Sequence, residues 1–292
     1  MTELMAETMT AMHDVAGLRR GVGVGWRPEI AGWVESVPAL GFCEVIAEAI
    51  DPAAPPRGVL ELRDRGVAVI THGVRLSLGG TEGLDAHRVT HLAAAAAAVG
   101  SPVVSEHISF TRAGGRDAGH LLPMPRTREA LDVLTRNVRR LQAELDVPLA
   151  LEPIAALFDW PDDAFSEPDF LTELLERTGA LLLLDVANVH ANALNRGQDA
   201  AAILDRMPVD RVAYVHVAGG SEYEGHYHDT HTDPVPDAVL DLLAQLVERT
   251  GTAPPVMLER DGRYPPAAEL AGELAAIAAA ARLDSPLVAV AP

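Results

Sequence analysis

The chain has 292 residues, 48% of them hydrophobic and 22% charged, with a formal charge of −19. This length and composition exclude a small stapled module or a disordered chain, and the single cysteine, Cys43, excludes a disulfide framework or a multi-cysteine zinc or iron–sulfur site. The negative charge opposes nucleic acid as a partner, and no apolar run approaches the ~20 residues of a membrane span.

Residues 1–20 mix Glu, Asp and Met without the basic start and apolar core of a secretion signal, so a flexible tail and a cytoplasmic location are expected. Eight short apolar runs follow, at 21–25, 42–47, 67–71, 102–104, 147–151, 181–184, 212–215 and 255–258. The intervening segments read as helices: an amphipathic stretch near 28–39, an alanine-rich one at 85–99, and a long periodic one at about 126–145. Cys43 lies inside the second run, as a buried thiol would. Short apolar strands alternating with helices imply a parallel sheet. Eight such units fit a closed (β/α)₈ TIM barrel over 21–285, with 286–292 as a C-terminal tail. The competing fold is an open doubly wound sheet. Its Gly-rich turn finds a candidate only in Gly21-x-Gly23-x-Gly25, which lacks the G-x-G-x-x-G spacing and runs into Trp26-Arg27-Pro28.

Six consecutive runs end in a histidine or carboxylate: His72, then Glu106-His107, then Glu152, then Asp185 with Asn188 and His190 beyond, then His216, then Glu259-Arg260-Asp261. In a barrel that edge builds the active site. A single His or Asp there is more often a hydrogen-bonded rim group or a helix cap. Together, however, Glu152, Asp185, Asp229 and Glu259 would converge on one mouth, where four carboxylates cannot all ionise without cations. Metal ions resolve this, with His72, His107, His216 and His231 as neutral donors, and nitrogen and oxygen ligands without thiolate suit Fe, Mn or Zn. That many ligands implies two or three ions sharing a carboxylate. Asp229 and His231 come from the stretch Tyr227-His228-Asp229-Thr230-His231-Thr232-Asp233, whose last residue, before Pro234, reads as the cap of the next helix. His226 and His228 read as solvated loop residues.

Beyond these ligands, the chain carries Phe42-Cys43-Glu44-Val45 with Glu48, Thr71-His72-Gly73-Val74, Leu76-Ser77-Leu78-Gly79, Val104-Ser105-Glu106-His107 and Leu121-Leu122-Pro123-Met124-Pro125. It continues with Leu151-Glu152, Leu183-Leu184-Asp185-Val186-Ala187-Asn188-Val189, Val215-His216-Val217-Ala218-Gly219, Asp229-Thr230-His231 and Leu258-Glu259. In this order they resemble the multinuclear non-haem iron-dependent oxidases of the MbnB/TglH type. The resemblance implies a xylose-isomerase-like TIM barrel and two or three Fe ions (Fe2+/Fe3+) with dioxygen as co-substrate, Zn or Mn being the alternative metals. The implied ligands are His72, His107, Glu152, Asp185, Asn188, His216, Asp229, His231 and Glu259, with Glu152 as the bridge. The implied substrate is a residue, Cys or Asp, of a ribosomally made precursor peptide, with a separate leader-binding partner protein. Glu152, His190 and Glu48 are the candidates for catalytic roles, and Arg27 and Arg260 for substrate binding.

The chain departs from that pattern at Pro153, Ala49, Gly220 and Arg260, all on the rim, which marks a divergent branch. The rival readings are a multinuclear zinc hydrolase of the abasic-site endonuclease type, an isomerase of the xylose-isomerase-like type, and a non-catalytic metal-binding partner protein. The endonucleases have a histidine where Asn188 stands, and must approach a polyanion. Sugar isomerases want a lysine near the metals, and the strand ends show none.

Overall fold

The computed structural model describes residues 13–288. Its centre is a closed barrel of eight parallel strands: β1 (Val22–Gly25), β2 (Phe42–Ile46), β3 (Ala68–Gly73), β4 (Val104–His107), β7 (Leu149–Glu152), β8 (Leu181–Asp185), β9 (Val212–Val217) and β12 (Val256–Leu258). The barrel closes where β1 pairs β12, Val22 opposite Val256 and Val24 opposite Leu258. All eight expected strands form. Two antiparallel hairpins, β5 (Phe110–Ala113) with β6 (Arg116–Leu122) and β10 (Ser221–Tyr223) with β11 (His226–His228), were not foreseen. Both lie in loops that follow the C-terminal ends of barrel strands.

Side-chain alternation divides the strands into two cores. Outward residues such as Val24, Val45, Val69, Leu151, Leu184 and Val217 pack against the surrounding helices. Inward residues Phe42, Ile70, Val103, Ala150, Leu181, Leu183, Tyr214 and Met257 fill the lower barrel. Two strand positions further along, the same inward faces carry Glu44, His72, Ser105, Glu152, Asp185, His216 and Glu259, so one alternation supplies an apolar floor and a polar ceiling. The glycines of β1 follow from this packing. A Cβ on Gly23 would meet the Phe42 ring at 2.9 Å, and one on Gly25 would meet the Arg27 guanidinium at 2.9 Å. The Gly-x-Gly-x-Gly run makes room for neighbours inside the barrel.

The helices are α1 (Ala31–Ser36), α2 (Arg57–Asp64), α3 (Ala86–Val99), α4 (Arg128–Gln142), α5 (Glu167–Thr178), α6 (Val186–Arg196), α7 (Ala200–Leu204), α8 (Asp237–Thr250) and α9 (Ala267–Ala280). The expected stretch near 28–39 is a 3-10 turn, Pro28–Ile30, running into the short α1. Helix α3 opens on Asp85, whose carboxylate accepts from His87 N and Arg88 N, and closes on left-handed Gly100. Asp233 does not cap α8. That helix begins after Pro236, and Asp233 Oδ2 instead accepts from the Thr232 hydroxyl at 2.8 Å.

The expected N-terminal tail divides. Residues 1–12 lie outside the described residues, but Val15 and Leu18 are buried with Phe42, Ile70 and Val103 and stop the foot of the barrel. At the other end, Leu287 packs against the outer core and Pro286 O accepts from Ala39 N, while 289–292 lie outside the described residues. Among the described residues no helix is long and apolar enough to cross a membrane.

Candidate metal centre

Parallel register brings the strand-end residues side by side: His72 opposite Ser105, His107 opposite Glu152, and Asp185 opposite His216. The ligand atoms fall into overlapping sets, each within 4.8 Å: His72, His107 and Glu152; then Glu152, Asp185, His216 and Glu259; then Asp185, Asp229 and His231. Glu152 belongs to the first two sets and Asp185 to the last two. Glu152 Oε2 lies 3.6 Å from His72 Nε2 and 3.3 Å from His107 Nε2, while its Oε1 lies 3.5 Å from His216 Nδ1.

A set of buried atoms tests whether the residues suit a cation. Glu152 Oε2, Asp185 Oδ2, Asn188 Oδ1 and Asp229 Oδ1 are all buried without a hydrogen-bond partner, and His216 Nδ1 faces carboxylates, Glu259 Oε2 at 2.8 Å and Glu152 Oε1 at 3.5 Å. Buried polar atoms are nearly always paired, because leaving one bare costs ~1–3 kcal/mol. Four bare atoms from four ligand candidates fit metal coordination. Asp185 shows the division of labour within one side chain: Oδ1 caps α6 by accepting from Ala187 N at 2.6 Å, which leaves Oδ2 free. Asn188 likewise donates Nδ2 to Pro153 O at 3.1 Å and keeps Oδ1 free.

The electrostatics point the same way. Burial, then Asp229 and Glu152, push the Asp185 carboxyl well above its usual range. Burial alone would raise Glu259 too, but His216, His231 and Arg27 hold it well below the usual carboxylate range. Burial and the neighbouring His107 push His72 down to about 3. Burial opposes charge on His107, yet Glu152 and Glu106 raise it to about 9. His216 and His231 are raised well above 6.5 against the burial penalty, by Glu44 and Glu259 for the first and by Asp229 and Glu259 for the second. The carboxylates thus need positive charge, and bound cations would displace the protons that otherwise supply it.

Asp229 and His231 reach the site from the loop after β9. His231 holds a left-handed backbone, φ 54°, and its carbonyl accepts from Asp261 N at 2.9 Å. A non-glycine residue in that region carries strain of ~1–3 kcal/mol, offset here by ring contacts: Nε2 with Asp229 Oδ2 at 2.7 Å and Nδ1 with Asp261 Oδ2 at 3.1 Å. Tyr227, not foreseen in any role, holds this loop. Its hydroxyl accepts from Gly220 N at 2.8 Å, and its backbone N and O each pair with the Asn195 side chain at 2.8 Å. A Cβ on Gly220 would lie 2.7 Å from the Tyr227 ring, so the Ala218-Gly219-Gly220 departure leaves space for that ring.

Four proposed residues are not members of the ligand sets. Arg27 is buried and donates to Asp261 at 2.8 Å and to Glu259, a candidate ligand, at 3.2 Å. It also supplies the positive charge for a further acidic set, His231, Glu259 and Asp261. Arg260 is buried and pairs with Glu273 on α9. Glu48 is exposed and accepts from Val74 N at 3.1 Å, apart from the ligand sets. His190 sits on α6, edge-on to Tyr227 with centroids 5.3 Å apart, and is likewise outside them. His226 is exposed, and His228 is half-buried beside Tyr223.

Sequence reasoning missed Glu44 and Tyr214, both fully buried, although a carboxylate in the middle of an apolar run was the available signal for the first. The motif Leu76-Ser77-Leu78-Gly79 proves to be packing. Asn137 holds Leu78 O and Gly80 O at 2.7 and 2.9 Å, and a Cβ on Gly79 would meet Met124 Sδ at 2.7 Å.

A closed (β/α)₈ barrel with buried imidazole and carboxylate sets at its C-terminal mouth is an enzyme-like TIM barrel with residues suited to metal binding. Similarity resolves the class further. Residues 21–282 match the RiPP precursor modification enzyme MbnB/TglH/ChrH family, and the chain belongs to it. A UPF0276 protein of Streptomyces avermitilis is 54% identical over 277 residues, 92% of this chain, and the chain spans only 56% of that relative's length. Solved structures share the fold at low identity. D-psicose 3-epimerase from Clostridium cellulolyticum has a TM-score of 0.56 at 8% identity, covering 84% of this chain and 86% of its own. Endonuclease IV from Thermus thermophilus has a TM-score of 0.55 at 18% identity, covering 90% and 98%.

Proposed function

We propose that the protein is a multinuclear iron, dioxygen-dependent oxidase that modifies a Cys or Asp residue of a ribosomally made precursor peptide presented by a leader-binding partner protein. The observation that carries this reading is the pair of buried ligand sets sharing Glu152, with the unpartnered Glu152 Oε2 and Asp185 Oδ2 between them, in a chain of this family. His72, His107 and Glu152 would hold one ion, and Glu152, Asp185, His216 and Glu259 a second. Asp185, Asn188, Asp229 and His231 are the ligands left for a third. Bound iron supplies the one-electron and dioxygen chemistry that no side chain here can perform, dioxygen taking the electrons. The chain's own residues set geometry and charge: Arg27 orients Glu259, Asp185 is aimed by its capping bond, and the loop held by Tyr227 carries Asp229 and His231 over the mouth.

The hydrolase and isomerase readings have less support. All 23 basic side chains are arginine, so no lysine is present to serve an isomerase. Asn188 offers an amide oxygen where the endonucleases use an imidazole, and a charge of −19 opposes a polyanion. Metal analysis of anaerobically purified protein, followed by oxygen-electrode measurements with candidate Cys- or Asp-bearing peptides, tests the reading. Bound iron with peptide-dependent dioxygen uptake is expected. Stoichiometric zinc and no uptake would sink it.

A further inference from the structure

A chain of buried hydrogen bonds runs behind the ligands, across the barrel from β2 to β3. Glu44 Oε2 accepts the Tyr214 hydroxyl at 2.7 Å and faces His216 Nε2 at 2.9 Å. Tyr214 OH lies 2.7 Å from Ser105 Oγ, which lies 2.8 Å from His72 Nδ1. Ser105, Glu44 and Tyr214 are completely buried and His72 nearly so, and every link is a direct contact.

Donor counting assigns its direction. A carboxylate accepts, so Tyr214 and His216 Nε2–H both donate to Glu44. The single Tyr214 proton is then committed, and Ser105 must donate to Tyr214. The single Ser105 proton is committed in turn, and His72 Nδ1–H must donate to Ser105. His72 therefore turns its Nε2 lone pair toward Glu152 Oε2 at 3.6 Å, acceptor facing acceptor, an arrangement a cation between them would satisfy. On the far side His216 turns Nδ1 toward Glu259 and Glu152, at 2.8 and 3.5 Å. His107 has a separate arrangement, its Nδ1 lying 3.2 Å from Gly73 O.

We propose that Glu44 is the positioning residue of the centre: acting directly on His216, and through Tyr214 and Ser105 on His72, it orients the metal-binding nitrogens of both. This rests on reading the Glu152 sets as the metal centre. Such partners behind a ligand typically change metal affinity ~10–100-fold. Because the chain is linear, cutting it at Tyr214 should affect His72 and spare His216.

The test uses the full chain, metal-free and 15N-labelled, as wild type, Tyr214→Phe and Ser105→Ala. Long-range 15N–1H spectra should show wild-type His72 as the Nδ1–H tautomer. In Tyr214→Phe the freed Ser105 hydroxyl can donate to Nδ1, and the Nε2–H form should appear. Titration with zinc(II) alone should then show one position weakened ~10–100-fold and the His216 position unchanged. In Ser105→Ala the same position should weaken while the melting temperature reports any loss of fold. If Tyr214→Phe does not fold, Ser105→Ala decides. A merely structural chain would shift melting temperature without changing tautomer or selective affinity. Wild-type tautomer and affinities in a folded variant, or equal weakening of both positions, would overturn the proposal. A wild type that takes up no zinc(II) would count against the metal centre itself, and the His72 tautomer would still decide the role of Glu44.

Discussion

At the scale of single residues, the convergence at the strand ends was legible because each candidate is a polar residue ending an apolar run, and barrel geometry brings such residues together. His72, His107, Glu152, Asp185, His216, Asp229, His231 and Glu259 are all in the sets the structure brings together. The residues that orient them were not legible, since Tyr214 and Ser105 act through contacts across the barrel interior that no sequence spacing encodes. Arg27 and Arg260 look alike in the sequence, yet one faces Glu259 and the other Glu273. Gly220 is a position where a small change should be felt. A Cβ there would lie 2.2 Å from His228 O as well as against the Tyr227 ring. Gly220→Ala is expected to cost ~1–3 kcal/mol by overpacking, read as a lower melting temperature, and to loosen metal binding at Asp229 and His231. An unchanged melting temperature would mean that the hairpin shifts freely.

At the scale of elements, all eight barrel strands could be read from apolar run length, whereas both hairpins escaped. Residues 110–122 and 221–228 are short, polar and glycine-containing, so they lack the periodicity that marks a buried strand. Helix α6 is the hub of the mouth. Asn188 donates to Pro153 O, Asn192 donates to Ile154 O and accepts from Ala156 N, and Asn195 holds Tyr227, so one helix fastens the loops on both sides. Asn192→Ala removes two hydrogen bonds and leaves two buried backbone groups bare. It is expected to cost ~1–3 kcal/mol and to speed proteolysis of the 153–166 loop, with metal content retained. Protease digestion of variant and wild type side by side, with metal analysis of each, checks this; equal cleavage rates would remove the fastening role.

At the scale of the whole molecule, the acidic charge and the buried site meet in pH dependence. His107, raised to about 9 in the metal-free fold, binds more protons folded than unfolded over roughly pH 6.5 to 9. Its contribution to stability is fully present below about 6.5 and is lost as pH rises through about 9. Metal-free protein should therefore melt at progressively lower temperature across that window. Metal uptake should release protons, measurable by calorimetry in buffers of different ionisation enthalpy; uptake without proton release would contradict the charge arrangement. Deleting residues 1–20 should also destabilise the chain, since Val15 and Leu18 close the barrel floor, and a melting temperature equal to the full chain's would show the floor closes without them. The shared carboxylate has a consequence for loading. Because Glu152 serves two ligand sets, the first ion to arrive fixes that side chain but takes up its negative charge, so the second binds more weakly. Filling should be stepwise, so that scarce metal yields molecules charged at one position only, and a competing metal captured early would set the affinity left for its neighbour. A His216 position whose zinc(II) affinity is the same whether or not the His72 position is filled would show that the sets do not communicate.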